Sequence, residues 1–366
     1  MSMRVLTSGI DSLYFSVRAP VRSEAWALLK RAKDRAEHER ELAPVDFPLT
    51  GQAFMVKPHG WRGYTFWATS PDFELMVGKS EKFPPVYVQM HSAYLHSMGV
   101  GPALHLVELF LRHELLAVPA DLVVSRLDIH CDYQGWDPEI EDMRRFVCRG
   151  RGRRVHVERE EAYAHGRRLT GFTFGRGALS ARLYDKTLQA AQRGLTWVPE
   201  LWTGQDPERP VWRLEFAYER NVLREFNLRT VDEALAAVQD LWEYGTGKWL
   251  TLRRRVRDAR ERRWPLDPVW EALQAVRVSP ERTGVVRRRV RQVREERVLR
   301  LVLGGLTSLA ALRGWELLDE ALVEVGPELE TYLRVRERTF RSEVRREQAR
   351  LLDVTGYLDE DDRDAA

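Results

Sequence analysis

The chain has 366 residues, enough for one large domain or two ordinary ones, and 44% of them are hydrophobic and 31% charged. This composition excludes a disordered protein, no apolar run reaches the roughly 18 residues of a membrane span, and the N-terminus lacks the apolar segment of a signal peptide. Two cysteines, Cys131 and Cys148, offer neither a disulfide framework nor a zinc-binding spacing, so we expect a soluble cytoplasmic protein.

The net charge of +3 is unevenly distributed. Residues 251–300 carry 16 arginines against 7 acidic residues, and residues 301–366 carry 9 arginines against 15 acidic residues, whereas residues 1–250 are balanced. The basic block fits a surface that binds a polyanion, and it fits a solvated helix face equally well.

The first hundred residues predict strands and two helices. Residues 8–17 alternate between apolar and polar and carry aromatics, which is typical of a strand. Residues 23–42 begin at a serine cap and predict a charged helix. Residues 44–100 are rich in glycine, proline and aromatic residues and predict short strands with tight connections. Helical spacing over residues 102–117, bounded by prolines, predicts a second helix.

The next part of the chain returns to strands. Residues 122–133 predict a strand and residues 139–147 a helix. Residues 171–175 and 179–186 flank an Arg-Gly turn and predict a hairpin, and residues 211–218 predict a further strand.

From residue 231 onward the apolar period becomes helical, through to an acidic tail. We therefore expect an α+β protein: an antiparallel sheet with flanking helices in residues 1–250, followed by an α-helical domain in residues 251–366.

Three of the predicted strands carry charged side chains at alternate positions, which places these side chains on one face and apolar side chains on the other. A shared polar site is the interpretation that this pattern favours, and ordinary solvated faces are the alternative. The positions are Arg126, Asp128, His130 and Asp132 in the first strand, Arg182, Tyr184 and Lys186 in the second, and Arg213 and Glu215 in the third.

The acidic residues of this set suit a divalent metal ion. Asp128, Glu215 and, with less support, Asp132 offer hard oxygen ligands for Mg²⁺ or Mn²⁺. His130 lies on the same face, where ligation and hydrogen bonding are equal alternatives. Such an ion would polarise a phosphoryl oxygen and stabilise the charge that develops there.

The tyrosine and the basic residues complete a set for phosphodiester chemistry. Tyr184 offers a hydroxyl nucleophile that can hold a covalent intermediate, and a cation or metal beside it would favour the phenolate. Lys186, one pleat away on the same strand, is a candidate for that role or for binding the phosphate. Arg126, Arg182 and Arg213 are candidates for gripping non-bridging oxygens. Together these residues predict transesterification onto tyrosine.

The motifs, in this order and spacing, resemble those of the Rep-trans replication initiation factor family, which initiates rolling-circle plasmid replication and has relatives among conjugative relaxases. The resemblance covers roughly residues 8–255. It is carried by the opening strand GIDSLYFSV and by VSRLDIHCD, TGFTFGRGALSARLYDKTLQ, VWRLEFAYERN and LWEYGTGKWL.

The resemblance implies a metal-dependent, origin-specific enzyme that nicks and closes one DNA strand. Tyr184 would be the nucleophile, leaving a 5′-phosphotyrosine and a free 3′-hydroxyl primer. Asp128 and Glu215 would hold the metal, Asp132 less surely, and Lys186 would assist at the phosphate. Origin DNA, both double-stranded and single-stranded, would be the partner of a homodimer without membrane contact, and a host or plasmid helicase is a further partner that the resemblance allows.

Other functions stay open at this point. A conjugative relaxase would use the same chemistry at a transfer origin, and a non-catalytic DNA-binding regulator of replication would keep the fold without needing Tyr184 or Asp128. The His-hydrophobic-His metal motif of the other large class of rolling-circle nucleases is absent from the sequence; its nearest approach is the segment His156-Val157-Glu158.

Several basic or apolar segments allow two interpretations each. Residues 149–168 fit a DNA-contacting loop or a solvated hairpin. Residues 253–263 and 287–300 fit arginine stripes on DNA or plain helical surface. Residues 284–313 fit a helix-turn-helix-like unit less well than ordinary helix packing, and a helix over 328–352 fits a dimer contact with a thin apolar seam.

Overall fold

The computed structural model describes residues 3–150, 152–159, 167–258, 260–280 and 295–344. The strands, in chain order, are β1 (Arg4–Val17), β2 (Ala43–Phe47), β3 (Gln52–Val56), β4 (Phe66–Thr69), β5 (Phe73–Val77), β6 (Val86–Met90), β7 (Leu122–Gln134), β8 (Phe146–Cys148), β9 (Arg153–Arg159), β10 (Arg167–Phe174), β11 (Leu179–Asp185), β12 (Trp212–Glu219) and β13 (Leu250–Leu252).

Eleven of these strands form one antiparallel sheet, and β8 and β13 form a separate pair. The order across the large sheet is β2-β3-β4-β5-β6-β1-β7-β12-β11-β10-β9, so the two long strands β1 and β7 lie side by side at its centre. This arrangement confirms the predicted α+β class.

The helices lie mostly between or after the strands. They are α1 (Ser23–Glu39), α2 (Ser92–Met98), α3 (Val100–Phe110), α4 (Lys186–Arg193), α5 (Arg220–Glu225), α6 (Val231–Ala236), α7 (Val238–Tyr244), α8 (Pro268–Gln274), α9 (Glu295–Arg313) and α10 (Leu318–Val335). Single π-helical turns at Leu111–Leu115 and Gly245–Trp249 follow α3 and α7. Short 3₁₀ turns occur at Ile140–Arg144, Pro199–Leu201 and Glu261–Arg263.

Strand alternation explains where the core lies. Leu13 of β1 faces Leu127 of β7, and Leu183 of β11 faces Leu214 of β12. All four side chains are fully buried, in one cluster with residues of the helices α1, α3 and α7. Burying a leucine stabilises the fold by about 1.5–3 kcal/mol, so this apolar face holds the sheet against its helices and leaves the other face for polar residues.

The chain divides into two compact units, Met1–Val286 and Arg287–Ala366. In the first unit, Trp270 of α8 is fully buried and packs against Phe146 of β8. The second unit contains α9 and α10, joined by an ion pair between Arg313 and Glu328. No helix in the described ranges is long and apolar enough to cross a membrane.

Three local predictions are wrong. Residues 139–147 form a 3₁₀ turn followed by strand β8, because Phe146 is fully buried against Phe174 and Val147 pairs with Thr251. Residues 250–252, within the predicted helical region, form β13 for the same reason. The helix predicted over 328–352 is interrupted after Val335, where Glu337 has a φ of 55°.

Some predicted segments lie partly outside the described residues. They are the basic stretch 149–168, in which residues 151 and 160–166 are not described, the arginine-rich residues 281–294, and the end of the chain from residue 345.

Candidate active site

The register of the central strands brings the three predicted charged faces together. In antiparallel strands, directly opposite residues share a face. On β12, Arg213 lies between Asp132 of β7 and Tyr184 of β11. One pleat along, Glu215 lies between His130 of β7 and Arg182 of β11. The residues therefore form two adjacent rows across the face opposite the core.

Tyr184 is hydrogen-bonded rather than free. Its hydroxyl donates to Oε2 of Glu215 at 2.9 Å, and Arg182 forms an ion pair with Oε1 of the same carboxylate. Burial, and after it the charge of Glu215, raises the pKa of Tyr184 well above its ordinary value. The phenol is thus protonated at neutral pH, and Glu215 is the group placed to accept its proton.

Arg213 and Asp132 form a buried ion pair. The Arg213 guanidinium donates to both oxygens of Asp132, at 2.5 and 2.8 Å, and to Oδ1 of Asp11 at 2.6 Å. The indole of Trp202 donates to Asp132 at 2.8 Å. Burial by itself would raise the pKa of Asp132, but Arg213 outweighs it and holds that pKa below its usual range. Both side chains have no exposed surface, so this pair organises the site from behind rather than reaching a substrate.

Asp128 is also paired, with the neighbouring arginine on its own strand. Arg126 donates to its two oxygens at 2.8 and 2.7 Å. Burial raises the pKa of Asp128 to about 6 against the opposing effect of Arg126. The three carboxylates predicted as metal ligands, Asp128, Asp132 and Glu215, thus each accept hydrogen bonds from an arginine in this structure.

A bulge in β1 adds a residue that the sequence did not single out. Ile10 pairs with Ile129 and Ser12 with Asp128, so Asp11 is the extra residue of the bulge and has no opposite residue on β7. A bulge of this kind re-aims a side chain. Asp11 turns to the charged face, where it accepts from Arg213 and from Ser92. Arg213 lowers its pKa well below the ordinary value, although burial opposes this.

Asp11, His96 of α2 and His130 form a cluster, here called the Asp11 cluster, with a ligand atom from each residue within 4.8 Å of the others. His96 Nε2 lies 3.3 Å from Asp11, and the two imidazole rings are 5.0 Å apart. Both ring nitrogens of His130 are buried without a hydrogen-bond partner among the described residues. Burial lowers the pKa of His130 to about 3, which keeps its imidazole neutral.

A metal ion fits the Asp11 cluster. Buried polar nitrogens are nearly always hydrogen-bonded, so two unpartnered ones on a single ring need an explanation. A neutral imidazole beside a second imidazole and a carboxylate is a donor set for a divalent metal ion.

Lys186 is not on the strand that the sequence predicted for it. Strand β11 ends at Asp185, whose side chain accepts a hydrogen bond from Leu188 N at 2.9 Å and caps α4, and Lys186 is the first residue of that helix. Its Nζ lies 5.7 Å from the Tyr184 ring centre and donates to Gln189. Burial, followed by the charge of Arg213, lowers the pKa of Lys186 to about 8.

Gly171 of β10 allows Tyr184 its position. It pairs directly with Tyr184, and a Cβ added to it would lie 2.5 Å from the Leu183 carbonyl oxygen and 2.8 Å from the Tyr184 Cβ. A glycine at this point of the Thr-Gly-Phe-Thr-Phe strand is therefore required by close packing. Gly171 is the fifth of the eight residues of β10, and a glycine in the interior of a strand is a sign of such a close approach.

Comparisons with known proteins are sparse for this chain. No family model and no curated protein matches it. Among solved structures it is similar to a rolling circle replication initiator protein from Geobacillus stearothermophilus, with 14% sequence identity and a TM-score of 0.46, over 76% of this chain and 100% of that one. We infer the chemistry of the site from its own residues.

Proposed function

We propose that the protein is a metal-dependent enzyme that nicks and closes DNA at a rolling-circle replication origin, with Tyr184 as its nucleophile. The observation that carries the proposal is the hydrogen bond from the Tyr184 hydroxyl to Glu215. Glu215 also forms an ion pair with Arg182 and lies directly opposite His130. A nucleophile, a proton acceptor and positive charge thus meet on one face of the sheet.

The chemistry is a transesterification with balanced atoms. The Tyr184 oxygen attacks the phosphorus of the scissile phosphodiester, and its proton passes to Glu215. The new oxygen–phosphorus bond forms as the bond to the 3′ oxygen breaks, and that oxygen takes up a proton and leaves as a 3′-hydroxyl. The 5′ end is then held on Tyr184. Attack by a 3′-hydroxyl on this phosphotyrosine reverses the sequence and closes the strand.

The arginines divide between substrate contact and support. Arg182 and Arg126 keep 45% and 30% of their side chains exposed, so a phosphate can reach them. Arg213 is fully buried, and we assign it the role of positioning Asp132 and Asp11 rather than binding phosphate. Lys186, with its Nζ 5.7 Å from the centre of the Tyr184 ring, adds charge beside the nucleophile.

A divalent ion would supply Lewis-acid stabilisation of the phosphoryl oxygens. We propose the Asp11 cluster as its binding site, because both ring nitrogens of His130 are buried there without a hydrogen-bond partner among the described residues, next to His96 and Asp11. Two imidazoles beside one carboxylate favour Mn²⁺ over Mg²⁺, since Mg²⁺ prefers oxygen ligands. Outside the Asp11 cluster, Glu215 is the carboxylate that lies directly opposite His130 in the strand register.

We further propose that the enzyme works as a homodimer on origin DNA. The sequence has no tyrosine between Tyr184 and Tyr218, so a second strand transfer that ends a replication round would use Tyr184 of the other subunit. Mixed dimers with one Tyr184→Phe subunit test this idea: they should start replication but fail to release the displaced circle. Normal termination by mixed dimers would refute it.

The proposed function is tested with supercoiled plasmid that carries the DNA flanking the protein's own gene. Wild type, Tyr184→Phe and His130→Ala, which removes a residue of the Asp11 cluster, are incubated with it, with and without Mn²⁺ or Mg²⁺. We expect open circles and protein attached to a 5′ end only with wild type and metal. The Tyr184→Phe protein should give no adduct, because it lacks the attacking oxygen.

Each other outcome points elsewhere. Binding without nicking by wild type would overturn the enzyme assignment in favour of a DNA-binding regulator. An adduct with Tyr184→Phe would keep the chemistry and overturn the choice of tyrosine. Nicking without added metal, in the presence of a chelator, would overturn the metal requirement.

A further inference from the structure

The face that carries Tyr184 continues across the sheet into a row of aromatic side chains. Tyr14 of β1 lies directly opposite Arg126 of β7, so it belongs to the charged face. Ser16, two residues on, faces Tyr87 of β6. The direct pairing then runs from Tyr87 through Met76 to Trp67 of β4. Since opposite residues share a face, these aromatic rings lie on the same side of the sheet as Tyr184.

The loop between β3 and β4 adds a further ring to this row. Trp61 lies nearly parallel to Tyr87, with ring centres 5.8 Å apart and planes 23° apart. It is also stacked on Tyr64 at 6.3 Å, and its ring centre is 6.4 Å from that of Trp67. Trp61, Trp67 and Tyr87 are all partly exposed, whereas Phe66 and Val88 of the same strands are buried on the other face. We call Tyr14, Tyr87, Trp61 and Trp67 the aromatic row.

Positive charge accompanies the aromatic row. Lys57 lies 3.2 Å above the Trp67 ring, Arg62 4.8 Å from Trp61, and Arg126 5.4 Å from Tyr14. Glu74 of β5 lies on the same face, and it is engaged by Lys57 and by the Trp67 indole. Cations beside flat, partly exposed rings suit a ligand that combines phosphates with aromatic bases.

Arg220 supplies a second, independent sign of an anion-binding position. Its Nε is buried and has no hydrogen-bond partner among the described residues. Its charge acts on Tyr64, where with Arg18 it partly offsets the rise that burial causes in the pKa of that tyrosine. An arginine nitrogen in this state is short of an acceptor, and a phosphate oxygen would provide one.

We infer that the aromatic row binds single-stranded DNA by base stacking and leads the strand toward Tyr184; this inference rests on the proposed function. Only unpaired bases offer their faces to side chains, so a duplex is not the ligand that the row fits. Tyr184 lies on β11, four strands from Tyr87 on β6 and six from Trp67 on β4. At about 4.8 Å per strand, Tyr87 and Trp67 lie about 19–29 Å across the sheet from the nucleophile, a span of several nucleotides.

The test measures binding without cleavage. The full chain with Tyr184→Phe is titrated against a fluorescein-labelled strand of about 15 thymidines and against a labelled duplex of equal length, by anisotropy. Trp61→Ala and Trp67→Ala are introduced into this background, together with Trp61→Phe, which keeps a ring. Tyr332→Ala is the matched control, because Tyr332 is an exposed ring stacked by Arg336 in the second unit.

We expect Trp61→Ala and Trp67→Ala each to weaken single-strand binding about 5- to 100-fold. Trp61→Phe should lose less than Trp61→Ala, and Tyr332→Ala should leave the affinity unchanged. Duplex binding should change by less than the single-strand binding in every variant. Circular dichroism and unfolding of each variant confirm that the fold is intact.

The inference is overturned if correctly folded Trp61→Ala and Trp67→Ala bind the strand as tightly as their parent. It is also overturned if they lose duplex and single-strand affinity equally, or if their main effect is on self-association. These failures are separate from failure of the proposed function. If wild type nicks DNA although the aromatic row is dispensable for strand binding, the proposed function stands and this inference fails. If the row binds single-stranded DNA but the protein never nicks, the inference stands and the proposed function fails.

Discussion

Replacing Arg213 with methionine keeps a long side chain at the centre of the sheet but removes the guanidinium that holds two carboxylates. Arg213 and Asp132 have no exposed surface, and the pair is joined at 2.5 and 2.8 Å. Without Arg213, the indole of Trp202 is the one remaining hydrogen-bond donor to Asp132 among the described residues. The variant therefore leaves a buried carboxylate without its charge partner.

The size of the effect follows from burial. Breaking a buried ion pair by removing one partner costs about 3–5 kcal/mol of unfolding free energy. Asp11 loses the same partner, but its side chain is 14% exposed and keeps its contacts with Ser92 and His96. We therefore expect Arg213→Met to lower the unfolding free energy by about 3–5 kcal/mol at pH 7, most of it from Asp132, which has no exposed surface.

The loss should depend on pH in a defined direction. In wild type the folded pKa of Asp132 is depressed, so the pair stabilises above the unfolded pKa of about 3.9 and this stabilisation fades as the pH falls. In Arg213→Met the main influence that opposes burial is gone, so we expect the folded pKa of Asp132 to rise above the unfolded one. The variant then loses stability as the pH rises, so the gap from wild type should widen between about pH 4 and pH 7.

Urea unfolding followed by tryptophan fluorescence measures this gap. Of the 12 tryptophans only Trp315 lies in the second unit, so the signal reports on the first. The matched control is Arg213→Met combined with Asp132→Asn, which removes the stranded charge and should recover about 2 kcal/mol or more. A cost below about 1 kcal/mol for Arg213→Met, or no recovery in the double variant, would refute the reasoning.

Three further outcomes follow from the site. The pKa of Lys186 is lowered to about 8, so nicking should slow as the pH rises through that value, and Lys186→Arg should flatten the profile; an unchanged profile contradicts this role. Gly171→Ala should cost about 1–3 kcal/mol and slow nicking, because its Cβ meets the Tyr184 strand; wild-type stability and rate would refute this. His130→Ala should weaken Mn²⁺ binding at least about 10-fold by calorimetry, with Asp128→Ala as the comparison; equal losses, or none, count against the Asp11 cluster.

Much of the sheet was predictable because strand alternation is a local property. The positions of Asp128, Asp132, Tyr184 and Glu215 on apolar-backed strands follow from a period of two residues, and the structure places them on one face. Helical spacing likewise predicted α1, α3 and the C-terminal helices. The catalytic roles of Asp128, Asp132, Tyr184 and Glu215 stay predictions for the experiments above.

Predictions failed where a distant contact outweighed a local preference. Phe146 lies in a stretch with helical spacing, yet it is extended because its ring fills a pocket formed by Phe174 and Trp270. Lys186 follows the strand period in sequence, yet it starts a helix because Asp185 caps the next turn. The sequence does not indicate which tryptophan rings lie in the core. Trp61 reaches the open face of the sheet from the loop between β3 and β4.

Which side chains share a face of a strand follows from the amino-acid sequence, because it depends only on the geometry of neighbouring residues. Which charges pair depends on the folded chain, since Arg213 and Asp11 are 202 positions apart and meet through strand register and a bulge. The folded chain also brings His96 to His130, because α2 packs beside β1. Contacts between distant residues depend on the packing of the whole sheet, and no local pattern encodes them.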